Sequence, residues 1–133
     1  MEAIRVALSF VAAINSQHID KISEIITEDH VFVESDGSEV AGHDRMREGW
    51  RAYFDMVPDY RIDVEETFSR DNTVVLLGVA TGTFVHEGRL DPENRWSVPA
   101  AWRVVVEGDK VSVWQLYVNN EPMIKILTRL GMA

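Results

Sequence analysis

The 133-residue chain has no cysteine, which excludes disulfides, thiol catalysis and thiolate-bound metal. The same absence fits a reducing compartment, and a cytoplasmic location is the expectation. Positive charge is scarce: 13 Lys and Arg stand against 22 Asp and Glu, for a formal charge of −9. That field repels nucleic acid and anionic membrane surfaces, so neither is an expected partner. No apolar run reaches the roughly 18 residues of a membrane-spanning helix. Glu2 precedes the first apolar stretch without a basic leader, so no signal peptide is read. Histidine occurs only at His18, His30, His43 and His86. None of these pairs with another at metal-ligand spacing, and no metal is expected. His30 and Glu34 would share a strand face but stand about 13 Å apart. No glycine-rich phosphate loop occurs, so no nucleotide cofactor is expected, nor any other cofactor.

What is present is ordinary globular material, 46% hydrophobic and 26% charged. No linker, repeat or low-complexity stretch interrupts it, so residues 1–133 read as one domain. Ile4, Ala7, Leu8, Val11 and Ile14 follow helical spacing over residues 2–15, with Val6, Phe10 and Ala13 widening the stripe. Asn15 is suited to a left-handed cap. Ile19, Ile22, Ile25 and Ile26 predict a short second helix, and residues 30–35 a strand before an Asp36-Gly37 turn. Helix 43–57 places Met46, Trp50, Tyr53, Phe54 and Val57 on one face and is stopped by Pro58. His18 and His43 read as helix-start residues. Tyr60, Ile62 and Val64 alternate with charged residues as a half-buried strand. Long strands follow over 73–85, 95–107 and 110–118, split by a polar loop at 86–94 and a turn at 107–109. His86, at the edge of that loop, is a minor acid/base candidate. A short helix closes the chain around Met123, Ile126, Leu127 and Leu130.

This order predicts an α+β fold, a meander of antiparallel strands with helices on one side. Strands that are apolar on both faces need cover on both. A homodimer through the outer sheet face would supply it.

Together these elements resemble the nuclear transport factor 2-like superfamily, and within it the ketosteroid isomerase and SnoaL-like polyketide cyclase branch. The likeness is carried by the opening helix ending Ile14-Asn15-Ser16 and by the strand entry Glu28-Asp29-His30-Val31-Phe32-Val33-Glu34. Ala41-Gly42 before the helix with Trp50 and Tyr53-Phe54 belongs to it too, as does Trp114-Gln115-Leu116-Tyr117-Val118-Asn119-Asn120 near the end. It spans nearly the whole chain. The resemblance implies a cone: a curved antiparallel sheet, cystatin-like, wrapped around the long helix, with an apolar pocket open at one end. It says less about activity, since the superfamily holds isomerases, cyclases, hydrolases and non-catalytic binding domains.

By that resemblance Glu34 matches the isomerase branch's general base, a strand-end acid before a turn and a glycine. A carboxylate facing an apolar cavity loses hydration, and its pKa rises. Glu34 shares a strand face with Phe32, so the two point into the cone together. The plainer reading is a solvated acid beside a turn. The family's oxyanion tyrosine matches Phe10, which has no donor. Its second donor falls near Trp102, whose indole N–H is a substitution. A steroid isomerase is therefore not expected. The SnoaL-like acid on the last strand matches Asn119, which orients a ligand or ends the strand, and Asn120 reads as a helix cap. Limonene epoxide hydrolase, of the same fold, uses an Asp-Arg-Asp set; Arg103 has no flanking pair of aspartates.

The expected site is thus Glu34 as catalytic base. Phe10, Phe32, Trp50, Tyr53, Phe54, Trp102, Trp114, Tyr117 and Asn119 are its expected ligand contacts, though aromatic side chains at such spacing also make plain core. Three functions stay open. An isomerase or cyclase would move a proton on a small apolar carbonyl compound. A binding module would hold an apolar ligand without chemistry. An interaction domain would use its sheet face alone.

Overall fold

The computed structural model describes residues 2–133. Helix α1 (Glu2–Ser16) buries Val6, Ala7, Phe10, Val11 and Ile14 along its apolar stripe. Its left-handed terminal residue is Gln17, with φ 57°, and not Asn15. The Asn15 amide is committed elsewhere: it accepts the Ile62 N–H at 2.8 Å and donates to the Ile62 carbonyl at 2.9 Å. Helix α2 (Ile19–Ile25) stops one residue early because Ile26 already pairs with Val111. Strand β1 (Ile26–Val33) therefore begins before the expected 30–35. A three-residue β2 (Glu39–Ala41), all exposed, pairs back on β1. Too short for any periodic pattern, it has no counterpart among the expected elements.

Helix α3 (His43–Met56) buries Met46, Trp50 and Phe54. Strands β3 (Arg61–Arg70), β4 (Thr73–Thr83), β5 (Arg95–Glu107) and β6 (Lys110–Val118) form the expected antiparallel meander. A 3-10 turn (Pro92–Asn94) precedes β5, and α4 (Glu121–Arg129) follows β6. The six-stranded sheet has the order β2-β1-β6-β5-β4-β3. One correction concerns its sense. β1 runs parallel to β6, so the sheet is mixed and not wholly antiparallel. The chain from β2 through α3 to β5 lies between β1 and β6, which supplies the long connection a parallel neighbour requires. α1 packs on β3 to β6 and α3 on β1, which places the helices on one face of an α+β fold.

Two irregularities shape this sheet. The β3–β4 register shifts between Val64 and Glu66. This bulge reverses the alternation, so Phe68 faces outward at 54% exposure rather than following Ile62 into the core. Gly78 sits opposite the bulge, where a Cβ would lie 2.0 Å from the Asp63 carbonyl oxygen. The β1–β6 ladder breaks between Ile26 and Val31. There the buried His30 ring substitutes for the backbone: Nδ1 donates to the Val111 carbonyl at 2.8 Å. Burial lowers the His30 pKa and holds the ring neutral. Among the described residues no helix is long and apolar enough to cross a membrane.

Candidate active site

The concave face encloses a cavity of about 480 Å³. Alternation on β5 and β6 directs Trp96, Val98 and Trp102, then Trp114, Leu116 and Val118, into it. α3 contributes Met46, Trp50, Tyr53 and Met56, which share its buried face. Tyr60 follows a tight bend in which Val57 N–H donates to the Tyr53 carbonyl at 2.7 Å and Tyr60 N–H to the Val57 carbonyl at 3.1 Å. α4 adds Met123, Ile124 and Leu127 to the lining. Arg129 ties its far end to the 3-10 turn, donating to the Asn94 side-chain oxygen at 2.8 Å and the Glu93 carbonyl at 3.0 Å.

Glu34 is the one carboxyl lining this cavity among the described residues. Its backbone is pinned in the loop after β1. Glu34 N–H donates to the Ser38 carbonyl at 2.8 Å, and Gly37 N–H to the Glu34 carbonyl at 2.9 Å. Gly37 takes φ 88°, which favours glycine. The half-buried carboxyl has its pKa raised, first by lost hydration and second by the Asp36 charge, with the Ser35 N–H partly offsetting both. Burial, and after it the Glu34 charge, raises the Tyr53 hydroxyl pKa; burial, then Tyr53 and Glu34, raises that of Tyr60. Both phenols thus stay protonated donors in the field of a basic carboxylate. The Tyr53 and Tyr60 rings meet edge to face at 5.0 Å. Trp50 contacts both, and Trp96 extends the wall from Tyr60 at 6.0 Å. The indole N–H groups of Trp50 and Trp96 are buried without a partner.

Of the expected site residues, the fold brings Glu34, Phe32, Trp50, Tyr53, Trp102 and Trp114 to one cavity. It places Phe10, Phe54, Tyr117 and Asn119 elsewhere. Phe10 is fully buried in a second layer, edge-on to Trp114 at 4.9 Å. Phe54 packs behind Trp50 at 5.5 Å. Tyr117 alternates with the inward Leu116 and Val118, so it faces outward at 51% exposure. Asn119 is exposed, its side chain accepting the Glu121 N–H at 3.0 Å just before α4. Asn120 is the asparagine that lines the cavity, donating to Ser35 Oγ at 2.7 Å. Asn120 holds the N-cap position of α4 as expected, without a side-chain cap bond, and also takes the cavity place expected of Asn119. Tyr60 and Trp96 line the cavity without being among the expected ligand contacts, although the parity of Tyr60 with Ile62 carries the signal. Arg103 is paired with Gln115 across β5 and β6 and does not line the cavity. His86 bridges to Arg89 and is also outside the lining. Among the described residues no group of three His, Asp or Glu is placed to hold a metal ion.

Residues 7–114 match the model of the SnoaL-like domain. The chain belongs to the SnoaL-like family. No curated protein sequence matches it significantly. Among solved structures, this SnoaL-like chain is similar to a putative SnoaL-like polyketide cyclase from Shewanella denitrificans. Identity is 14%, with 96% of this chain and 97% of the other covered at a TM-score of 0.82. A protein with a ketosteroid isomerase-like fold from Catenulispora acidiphila is 15% identical, covering 96% and 93% at a TM-score of 0.77. An epoxide hydrolase of the limonene epoxide hydrolase-like type from M. tuberculosis is 18% identical, covering 99% and 93% at a TM-score of 0.79. At these identities the likeness shows the fold.

Proposed function

We propose that this SnoaL-like chain is a cofactor-independent isomerase- or cyclase-type enzyme that moves a proton beside the carbonyl of a small apolar compound. The observation that carries this reading is Glu34, a poorly hydrated carboxyl in an otherwise apolar cavity it shares with Tyr53 and Tyr60. Glu34 takes a proton from the carbon next to the carbonyl. The C–H electron pair becomes the C=C bond of an enolate, and the charge moves to oxygen. A phenol hydroxyl of Tyr53 or Tyr60 donates a hydrogen bond to that oxygen. Where a β,γ double bond extends the enolate to a dienolate, the proton returns from Glu34 to the γ-carbon and the double bond moves into conjugation. Otherwise the enolate carbon attacks a second carbonyl within the same molecule, whose π pair passes to its oxygen, and that alkoxide takes the proton from Glu34. Phe10 and Trp102, at the positions that match the two oxyanion donors by resemblance, separate this arrangement from that of a steroid isomerase.

A second reading, a binding domain without chemistry, is favoured by Phe10, which puts no donor where the isomerase branch carries a hydroxyl. Deuterium exchange into the α-position of 2-tetralone, followed by proton NMR in D₂O, separates the two. The enzyme reading expects exchange above buffer that Glu34→Gln abolishes and Tyr60→Phe slows. Exchange unaffected by Glu34→Gln would leave the binding domain.

We also propose that two copies pair through the outer sheet face. It presents Phe68, Val75, Leu77, Val105, Val113 and Tyr117 on one side by register, an apolar surface that association would cover. Sedimentation equilibrium should show a dimer that Phe68→Asp weakens. A wild-type monomer across the accessible concentration range refutes the pairing.

A further inference from the structure

We infer that the cavity accepts the methylated ammonium head of an organic cation, seated on the rings of Trp50, Tyr53 and Tyr60 within the field of Glu34. This goes beyond proton transfer: it needs the cavity and the Glu34 charge but no reaction.

The first support is the shape of the aromatic wall. The three rings contact one another at centroid distances of 6.3, 6.4 and 5.0 Å. Tyr53 stands at 84° to both of the others, so they form a folded wall and not a flat stack. A compact cation resting on such a wall comes within cation–π range, about 6 Å, of more than one centroid. A quaternary ammonium group has no N–H to satisfy. A wall of rings suits it where a hydrogen-bonding pocket would not.

The second support is electrostatic. No Lys, Arg or His lines the cavity among the described residues, and Glu34 is its one carboxyl. The ring faces carry negative potential, and the whole chain carries −9. The one full charge in the lining and the ring faces therefore have the same sign. A carboxylate or phosphate enters against it, a neutral ligand is indifferent, and a cation gains. Partly buried charges are ordinarily paired. Glu34 has no cationic side chain facing it across the cavity, and an ammonium ligand would supply that missing partner.

A charge series at nearly constant shape tests this. Choline, 3,3-dimethyl-1-butanol and 3,3-dimethylbutyrate share a three-methyl head and differ mainly in charge. Binding is read by calorimetry and by tryptophan fluorescence at a pH where Glu34 is ionised. The expected order is choline tightest, by about tenfold or more over the alcohol, with the butyrate weakest. Glu34→Gln should shrink the advantage of choline, and Tyr60→Leu should shrink it further, circular dichroism confirming that each variant is folded. The wild-type series decides the matter even if a variant fails to fold. Equal or tighter binding of the alcohol overturns the inference, and so does an absence of saturable choline binding. Either result leaves the proton-transfer reading intact, since that needs only a neutral apolar ligand and is tested by deuterium exchange.

Discussion

Asn15 gives the sharpest test of how α1 is held to β3. Its amide makes a two-way bridge from the end of α1 to β3, accepting the Ile62 N–H at 2.8 Å and donating to the Ile62 carbonyl at 2.9 Å. Ile62 is 1% exposed, so water cannot readily replace either bond. Each hydrogen bond contributes about 0.5–1.5 kcal/mol net, and each stranded buried group costs about 1–3 kcal/mol. Asn15→Ala should therefore lower the unfolding free energy by about 2–4 kcal/mol, a large share of the roughly 5–15 kcal/mol typical of a domain. Urea unfolding followed by far-ultraviolet circular dichroism measures this directly. Asn15→Asp adds a sign test. The introduced carboxylate keeps the acceptor for Ile62 N–H but sets a lone pair against the Ile62 carbonyl. Protonation restores a donor, so the folded state raises the pKa of that carboxyl. The variant should then recover stability relative to wild type as pH falls through the raised pKa. A loss under about 1 kcal/mol in Asn15→Ala, or no acid recovery in Asn15→Asp, would refute the bridge.

Three further outcomes follow from the same geometry. His30 is neutral when folded, with its pKa lowered from 6.5 by burial, and His43 and Asp29 are the charged neighbours that act on it. The unfolded chain therefore binds the extra proton. Stability is full above pH 6.5 and falls as pH drops toward the folded pKa, by at most about 1.4 kcal/mol per pH unit. His30→Gln, which keeps a donor for the Val111 carbonyl, should flatten that slope in parallel urea titrations, and an unchanged slope would contradict the assignment. Gly78→Ala should cost about 3 kcal/mol or more, because the added Cβ meets the Asp63 and Val64 backbone, which cannot turn aside; a urea midpoint equal to wild type would show that the bulge is not tight. Arg129→Ala should speed amide exchange across α4, which has no fully buried residue, while changing global stability by less than about 1 kcal/mol. Equal exchange would mean that Arg129 does not anchor this helix.

Much of this architecture is visible in periodicity. The stripe of α1, the Trp50 face of α3 and the alternation of β5 are long and regular, so their buried sides follow from residue spacing alone. What periodicity misses depends on contacts far apart in the chain. The parallel entry of β1 beside β6 leaves no local mark, and β2 exists only because β1 offers it an edge. The bulge after Val64 reverses the face of Phe68 without any glycine or proline on β3 to announce it; its companion, Gly78, lies on the next strand. The candidate site divides the same way. Trp102, Trp114 and Glu34 follow from strand parity, whereas Phe10 and Phe54 are apolar residues of the right faces that a second layer of packing takes out of reach. Asn119 and Asn120 are adjacent, and only the direction in which β6 ends decides that the cap residue Asn120, and not Asn119, reaches the cavity.

The central claim is that Glu34 is a ligand-accessible carboxyl of raised pKa inside the cavity. Carboxyl-carbon NMR on labelled protein, with Glu34→Gln to assign the resonance, titrates it directly. A midpoint above the ordinary 4.5, moving further when a flat apolar ketone is added, is the predicted result. A midpoint at the ordinary value, indifferent to the ketone, would make Glu34 a solvated acid beside a turn and remove the base from the proposed reaction.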